Sequence, residues 1–192
     1  MQRYNDLSSY LKKKFGSKLL KLSIDGGFSC PNRKNGKSGC KFCSESGSGE
    51  FTTKRKSITE QLKAQISFLK EKDKNGGYIA YFQSYTNTFL PVEELRKMYY
   101  EAINFPNVKV LSIATRADCF NEEIYNLLSE LNKKIEVWIE LGLQTSNENT
   151  RNNMNIGYST EIFENCVQRL KELNIKTIFH IIFGLPNETE KD

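Results

Sequence analysis

Short apolar runs alternate along the chain with longer segments whose apolar residues recur at helical spacing. Leu19–Ile24 reads as a strand and ends at the breaker Asp25-Gly26-Gly27. Thr59–Lys72 places Leu62, Ile66 and Leu69 on one face of a helix, with Thr59 suited to cap it. Tyr78–Phe82 is a second strand, set off by Asn75-Gly76-Gly77. Pro91 opens a helix carrying Leu95, Met98 and Tyr99 on one side, since the N–H that proline lacks would be unpaired in a first turn anyway. Val108–Ala114 is a nearly continuous apolar strand, Asn121–Leu131 a helix, Ile135–Leu143 a strand, Thr160–Leu173 a helix and Ile175–Phe183 a fifth strand.

Five strands separated by four helices, in strict alternation, predict βα units and a parallel sheet, hence an α/β fold. Right-handed crossovers allow either an open doubly wound sheet or a curved partial barrel. In both, the loops at the strand C-termini form the working face. The chemically distinctive segments fall there: 25–43, 83–88, 115–118, Gln144 and 184–186. The reading is one domain over 1–192, with 1–18 as a basic lead-in. The residues after the fifth strand, Gly-Leu-Pro-Asn-Glu-Thr-Glu-Lys-Asp, supply no helix to cover it. The expectation is therefore a barrel cut short after that strand, or an edge covered by another chain.

Composition is that of an ordinary folded protein, with 38% apolar and 27% charged residues, which argues against overall disorder. No apolar run approaches ~18 residues, and the N-terminus is polar from the start, so no membrane span or signal peptide is expected and the cytoplasm is the expected location. The net charge of +5 is concentrated early, in Lys12, Lys13, Lys14, Lys18 and Lys21, then Arg33, Lys34, Lys37 and Lys41, then Lys54, Arg55 and Lys56. A basic front end suits a polyanion-binding protein, and equally a lysine-rich solvated surface.

Five cysteines, an odd number in a chain expected to be cytosolic, argue against a disulfide framework. Cys30, Cys40 and Cys43 lie in a glycine-rich loop after the first strand, nine residues separating the first pair and two the second. Thiolates suit zinc or iron–sulfur clusters. Structural zinc takes four closed ligands, whereas only three sulfurs are near in sequence. Cys119, Cys166 and His180 are remote, although Cys119 follows a strand end and could approach. Spacing leaves both metals open. A trio of merely buried thiols fits poorly with the polar Pro31-Asn32-Arg33-Lys34.

Asp-Gly-Gly-Phe-Ser-Cys-Pro-Asn-Arg (25–33) and Gly-Cys-Lys-Phe-Cys-Ser-Glu-Ser-Gly-Ser-Gly (39–49) together resemble the YhcC/YtqA-like (MnmL-type) radical S-adenosylmethionine (SAM) proteins. The cysteine spacing also resembles that of the catalytic subunit of Elongator. Tyr-Phe-Gln-Ser-Tyr-Thr-Asn-Thr (81–88), Ser-Ile-Ala-Thr-Arg-Ala-Asp-Cys (112–119), Glu-Leu-Gly-Leu-Gln-Thr (140–145) and His-Ile-Ile-Phe-Gly-Leu-Pro-Asn-Glu-Thr (180–189) continue the similarity in order. The resemblance implies a (β/α)6-type partial TIM barrel holding a [4Fe–4S] cluster on Cys30, Cys40 and Cys43. In such proteins the open iron chelates S-adenosylmethionine, and one electron cleaves the sulfonium to methionine and a 5′-deoxyadenosyl radical. An electron donor such as flavodoxin or ferredoxin is implied as a partner.

By the same resemblance Phe42 lies beside the adenine, or else packs in the core. Gln83, Ser84 and Thr86 stand where relatives meet the methionine ammonium, and Thr115 and Arg116 end the third strand, where an Arg can clamp a carboxylate. Gln144 is similar to a cofactor-contacting Gln, and Glu140 on the same strand points into the barrel in an alternative reading. His180 is a weak candidate for catalysis against the commoner role of a satisfied core histidine. One departure stands out: relatives often read Asn-Arg-Gly-His where this chain has Asn155-Ile156-Gly157-Tyr158, so any contact made by that Arg and His is lost or supplied elsewhere. Family members also continue past this chain's end, which puts catalysis by this chain alone in question. The branch implies transfer-RNA maturation, converting carboxymethylaminomethyl to aminomethyl uridine at the wobble position. The alternatives are a radical enzyme acting on a small metabolite or protein, and a non-catalytic zinc or cluster module that binds RNA.

Overall fold

In the computed structural model, residues 4, 6–36, 38–47, 56–69 and 76–189 are described. All five expected strands form: β1 Leu19–Ile24, β2 Gly77–Phe82, β3 Val108–Thr115, β4 Glu136–Gln144 and β5 Lys176–Ile181. Each pairs in parallel with the one before it, giving one sheet in the order β1-β2-β3-β4-β5. An order that never reverses has no topological switch point. The doubly wound alternative is thereby removed, and the fold is a singly wound partial (β/α) barrel.

Six α-helices accompany the strands among the described residues: α1 Leu7–Phe15, α2 Ile58–Ser67, α3 Val92–Ile103, α4 Glu122–Asn132, α5 Glu148–Asn153 and α6 Thr160–Glu172. Two of them were not expected. The basic lead-in contains α1, capped by Asp6, whose carboxylate accepts the Ser9 N–H at 2.8 Å. Helix α5 is a polar turn of helix with no apolar stripe to betray it. Pro91 precedes α3 as its cap residue rather than lying inside it, and Asn121 caps α4 through the Ile124 N–H.

Thr59 is not the cap of α2. Ser57 is, in a capping box where its hydroxyl accepts the Glu60 N–H and the Glu60 carboxylate accepts the Ser57 N–H. The helix stops at Ser67, and 70–72 of the expected span lie outside the described residues. Ser57→Ala is expected to cost about 1 kcal/mol, a fall of roughly 2–4 °C in the thermal midpoint, whereas Thr59→Ala leaves the cap intact.

Strand alternation divides the apolar residues between two faces. Leu22, Ile24, Ala80, Phe82, Leu111, Ile113, Ile139 and Leu141 pack outward against the helices in the main core. Leu19, Ile79, Val110 and Trp138 point inward, where Leu11 and Tyr10 of α1 close the bottom of the barrel over them. Two residues further along each strand the interior changes character: Lys21, Tyr81, Ser112, Glu140 and His180 contribute one polar side chain per strand. Beyond that layer the strand ends open into the site. Strand β5 borders the sheet, with Phe179, Ile181 and Phe183 exposed.

Candidate cofactor site at the barrel mouth

A cavity of about 670 Å³ lies at the C-terminal ends of the strands, and Cys30, Cys40 and Cys43 share its wall. The loop bearing them is fixed by side chains that sequence reading did not single out. Arg33 donates to the carbonyls of Cys43, at 3.2 Å, and of Ser44. Asn32, almost wholly buried, donates to the Cys40 sulfur at 3.3 Å and to the Asn155 carbonyl. Two glycines of the loop allow close approach. A Cβ on Gly39 would stand 2.9 Å from Arg33 Nε, and one on Gly47 would meet the Tyr85 ring at 2.4 Å.

Cys40 and Cys43 hydrogen-bond each other, and that bond chiefly pulls the Cys40 thiol down to about 6; burial opposes the shift, while Asn32 and Arg116 assist it. The same bond, with burial, pushes Cys43 up. A thiolate is the ligating form of cysteine, and this bond favours it at Cys40.

Phe42, Gln83, Thr86, Thr115, Arg116, Gln144 and His180 all line the same cavity. Ser84 does not: it is fully buried, its hydroxyl without a hydrogen-bond partner among the described residues. Thr115 and Thr88 bond through their hydroxyls at 2.6 Å. Arg116 has the fork expected of a carboxylate clamp, but closes it on Asp118, with Nε to Oδ1 at 2.9 Å and Nη2 to Oδ2 at 2.8 Å. Gln144 holds a left-handed backbone at φ 67, which turns it back over the mouth of the barrel. Cys119 opens on a separate cavity with Lys34 and Phe89, its thiol pushed up to about 12 by burial, then by the Asp118 charge. Cys166 is buried in the main core.

Glu140 does point into the barrel. It is 2% exposed and accepts hydrogen bonds from Lys21 Nζ (2.6 Å), His180 Nε2 (2.8 Å) and the Ser112 hydroxyl. Burial would raise its pKa; the hydrogen bonds from His180, Lys21 and Ser112 together with the Lys21 charge prevail and hold the carboxyl at about 2. An ionised carboxylate can only accept, so Nε2 of His180 carries the proton in this pair. Lys21 also stands 3.7 Å from the centre of the Tyr81 ring. His180 is not in a buried stretch as expected from sequence: its side chain is 43% exposed, because the second half of β5 faces the open cavity.

Among the described residues no three His, Cys, Asp or Glu side chains converge as ligands of one metal ion. The three thiols instead border one cavity with open volume before them. That suits a polynuclear cluster, which takes its cysteines on separate irons, better than a zinc needing four ligands at one point. The polar Gln83, Thr86 and Gln144 in the lining suit a polar ligand beside it. The Radical SAM superfamily profile matches residues 28–192.

The chain belongs to the radical SAM superfamily, in its YhcC/YtqA-like branch.

YtqA of Bacillus subtilis is 42% identical over 193 residues, 97% of this chain and 59% of its own length. YhcC of Escherichia coli is 37% identical over 95% of this chain and 59% of its own. A Methanocaldococcus jannaschii protein is 35% identical over 95% of this chain and 57% of its own. This radical SAM chain thus spans a little under three-fifths of the relatives it matches.

The departure noted in the sequence has a structural use here. Asn155 donates through Nδ2 to the Gly39 carbonyl at 2.7 Å, Ile156 lines the cavity, and the Tyr158 ring lies 4.9 Å from the guanidinium carbons of both Arg116 and Arg151. Arg151 is 1% exposed and donates at 2.8 Å to the carbonyls of Leu143, Thr145 and Tyr158, tying this segment to the end of β4. Arg151→Met leaves those buried carbonyls without their donors. We expect a loss of about 2–4 kcal/mol, read as a fall of roughly 5–15 °C in the thermal midpoint.

Proposed function

We propose that the chain is the core of a radical SAM enzyme that holds a [4Fe–4S] cluster on Cys30, Cys40 and Cys43 and reductively cleaves S-adenosylmethionine. The observation that carries the reading is the set of three thiols bordering one cavity at the mouth of a singly wound parallel barrel. A bound, reduced cluster of this kind supplies the single electron that breaks a sulfonium C–S bond.

The chain's own residues do the rest. The three cysteines ligate, and Arg33 and Asn32 keep their loop in shape. Phe42, between the last two ligands, offers an apolar face to the adenine. Gln83, Thr86 and Gln144 offer hydrogen bonds to the amino-acid part. Arg116 recognises a carboxylate by exchanging Asp118 for it. Thr115 holds the end of β3 through Thr88. His180, oriented by Glu140, faces the cavity as a group able to accept a proton from a substrate.

The proposed substrate is transfer RNA, at a wobble uridine bearing a carboxymethylaminomethyl group that is converted to aminomethyl. Support comes from the basic residues of the cysteine loop, Arg33, Lys34 and Lys41, since basic residues near phosphates release condensed counterions. Flavodoxin or ferredoxin is the proposed electron source. No helix among the described residues is long and apolar enough to cross a membrane.

The substrate is tested by profiling the nucleosides of transfer RNA from a strain lacking the gene. Accumulated carboxymethylaminomethyl uridine is the expected result; an unchanged profile contradicts the RNA substrate and leaves a metabolite or protein in its place.

A further inference from the structure

We infer that Asn32 is a positioning residue of the cysteine site, fixing Cys40 in place and setting how readily a cluster held there accepts an electron. The inference rests on the cluster reading above.

Asn32 follows Cys30 by two residues and is 7% exposed, yet its carboxamide nitrogen reaches three acceptors on two other segments. These are the Cys40 sulfur at 3.3 Å, the Asn155 carbonyl, and the Ile156 carbonyl at 3.5 Å. A carboxamide can often be turned over without changing its shape. Here it cannot, because turning it would set its oxygen against carbonyl oxygens that only accept. One N–H therefore serves the backbone of 155–156 while the other is left for the sulfur.

The backbone that makes this choice is itself tied to the cysteine loop at two further points. Asn155 Nδ2 donates to the Gly39 carbonyl at 2.7 Å, and the Lys41 N–H donates to the Met154 carbonyl at 3.0 Å. Gly157 follows at φ +83, where a Cβ would stand 2.7 Å from Asn32 Oδ1. Any larger residue at 157 must displace the carboxamide. The segment in which this chain departs from Asn-Arg-Gly-His thus keeps the Asn whose carbonyl accepts from Asn32 and the Gly that leaves room for its carboxamide, and changes the other two positions.

An N–H directed at a ligand sulfur puts the positive end of a dipole where reduction adds negative charge. In a partly buried site that dipole is poorly screened. Hydrogen bonds to sulfur are among the means by which a protein tunes a cluster potential. Removing the bond therefore makes the cluster harder to reduce. A bond that merely ties two loops together would leave the potential where it was.

The test is anaerobic reconstitution of the full chain as wild type, Asn32→Leu and Gly157→Ala. Iron and sulfide per chain are measured, and a redox titration is followed by electron paramagnetic resonance of the reduced cluster. The expected result is a more negative midpoint in both variants, with a roughly tenfold lower reduced-to-oxidised ratio at a fixed potential, about 59 mV for one electron. Circular dichroism reports folding. Variants that fold but lose iron support the positioning half of the inference. Full iron with an unshifted midpoint in both overturns it. A wild type that takes up no cluster removes the cluster reading itself and this inference with it, and is recognised because it appears before any variant is compared.

Discussion

Replacing Glu140 with Ala is expected to lower stability by about 3 kcal/mol, or roughly 6–12 °C in the thermal midpoint. The carboxylate is the one acceptor shared by Lys21, His180 and Ser112, drawn from three other strands. Deleting it leaves Lys21 facing the Tyr81 ring without its counterion. The side chain of Lys21 is 35% exposed, so water relieves part of the loss and the estimate sits at the low end for a broken buried pair.

The same carboxyl predicts an acid limb. Its pKa is depressed in the folded chain, from the usual 4.5 to about 2, so its contribution is fully present above the unfolded value and is lost as pH falls through the folded one. Denaturation midpoints measured across that window should fall with pH in the wild type. Glu140→Gln, which keeps the shape and cannot ionise, should lack that part of the dependence. An equally steep fall in the Gln variant contradicts the assignment.

The cysteine substitutions are expected to have the largest functional effect. Cys30→Ala, Cys40→Ala and Cys43→Ala should each fold, retain little iron after anaerobic reconstitution, and release 5′-deoxyadenosine only at background. Each removes one of three ligands, and a cluster left with two has a second iron without a protein anchor. Cys119→Ala and Cys166→Ser should retain wild-type iron, because Cys119 opens on a different cavity and Cys166 is packed in the core. The contrast separates three ligands from four. If Cys119→Ala also loses its metal, a closed four-sulfur site of the zinc type is favoured instead.

What could be read in the chain followed from how local each signal is. The strands were legible because the apolar runs are short and bounded by glycine-rich breakers, as at Asp25-Gly26-Gly27 and Asn75-Gly76-Gly77. The cysteines were legible because three of them fall in one loop. The choice between barrel and open sheet was not, since strand order depends on which β-strands pair. Helix α1 was hidden by its lysines: Leu11 is its one buried residue, and its purpose, closing the barrel below Trp138, is a tertiary fact. Helix α5 is Glu-Asn-Thr-Arg-Asn-Asn, and what holds it is Arg151 buried among carbonyls rather than a hydrophobic face.

Thr59 suited a cap by residue type, and it is Ser57, two residues upstream, that caps the helix in a box with Glu60. Asn32 escaped notice for a different reason. Its acceptors at 155–156 lie more than a hundred residues away, and no spacing rule connects them. Arg116 has the planar fork that suits a carboxylate, and in this structure Asp118, two residues on, fills it.

The most direct measurement of the central claim is the fate of S-adenosylmethionine. The full chain is reconstituted with iron and sulfide without oxygen, reduced with dithionite, and given S-adenosylmethionine; methionine and 5′-deoxyadenosine are then quantified by mass spectrometry. The account predicts a brown protein with about four irons per chain that releases the two products in equal amounts, and does so only when Cys30, Cys40 and Cys43 are all present. A colourless protein that holds stoichiometric zinc and leaves S-adenosylmethionine intact would contradict it.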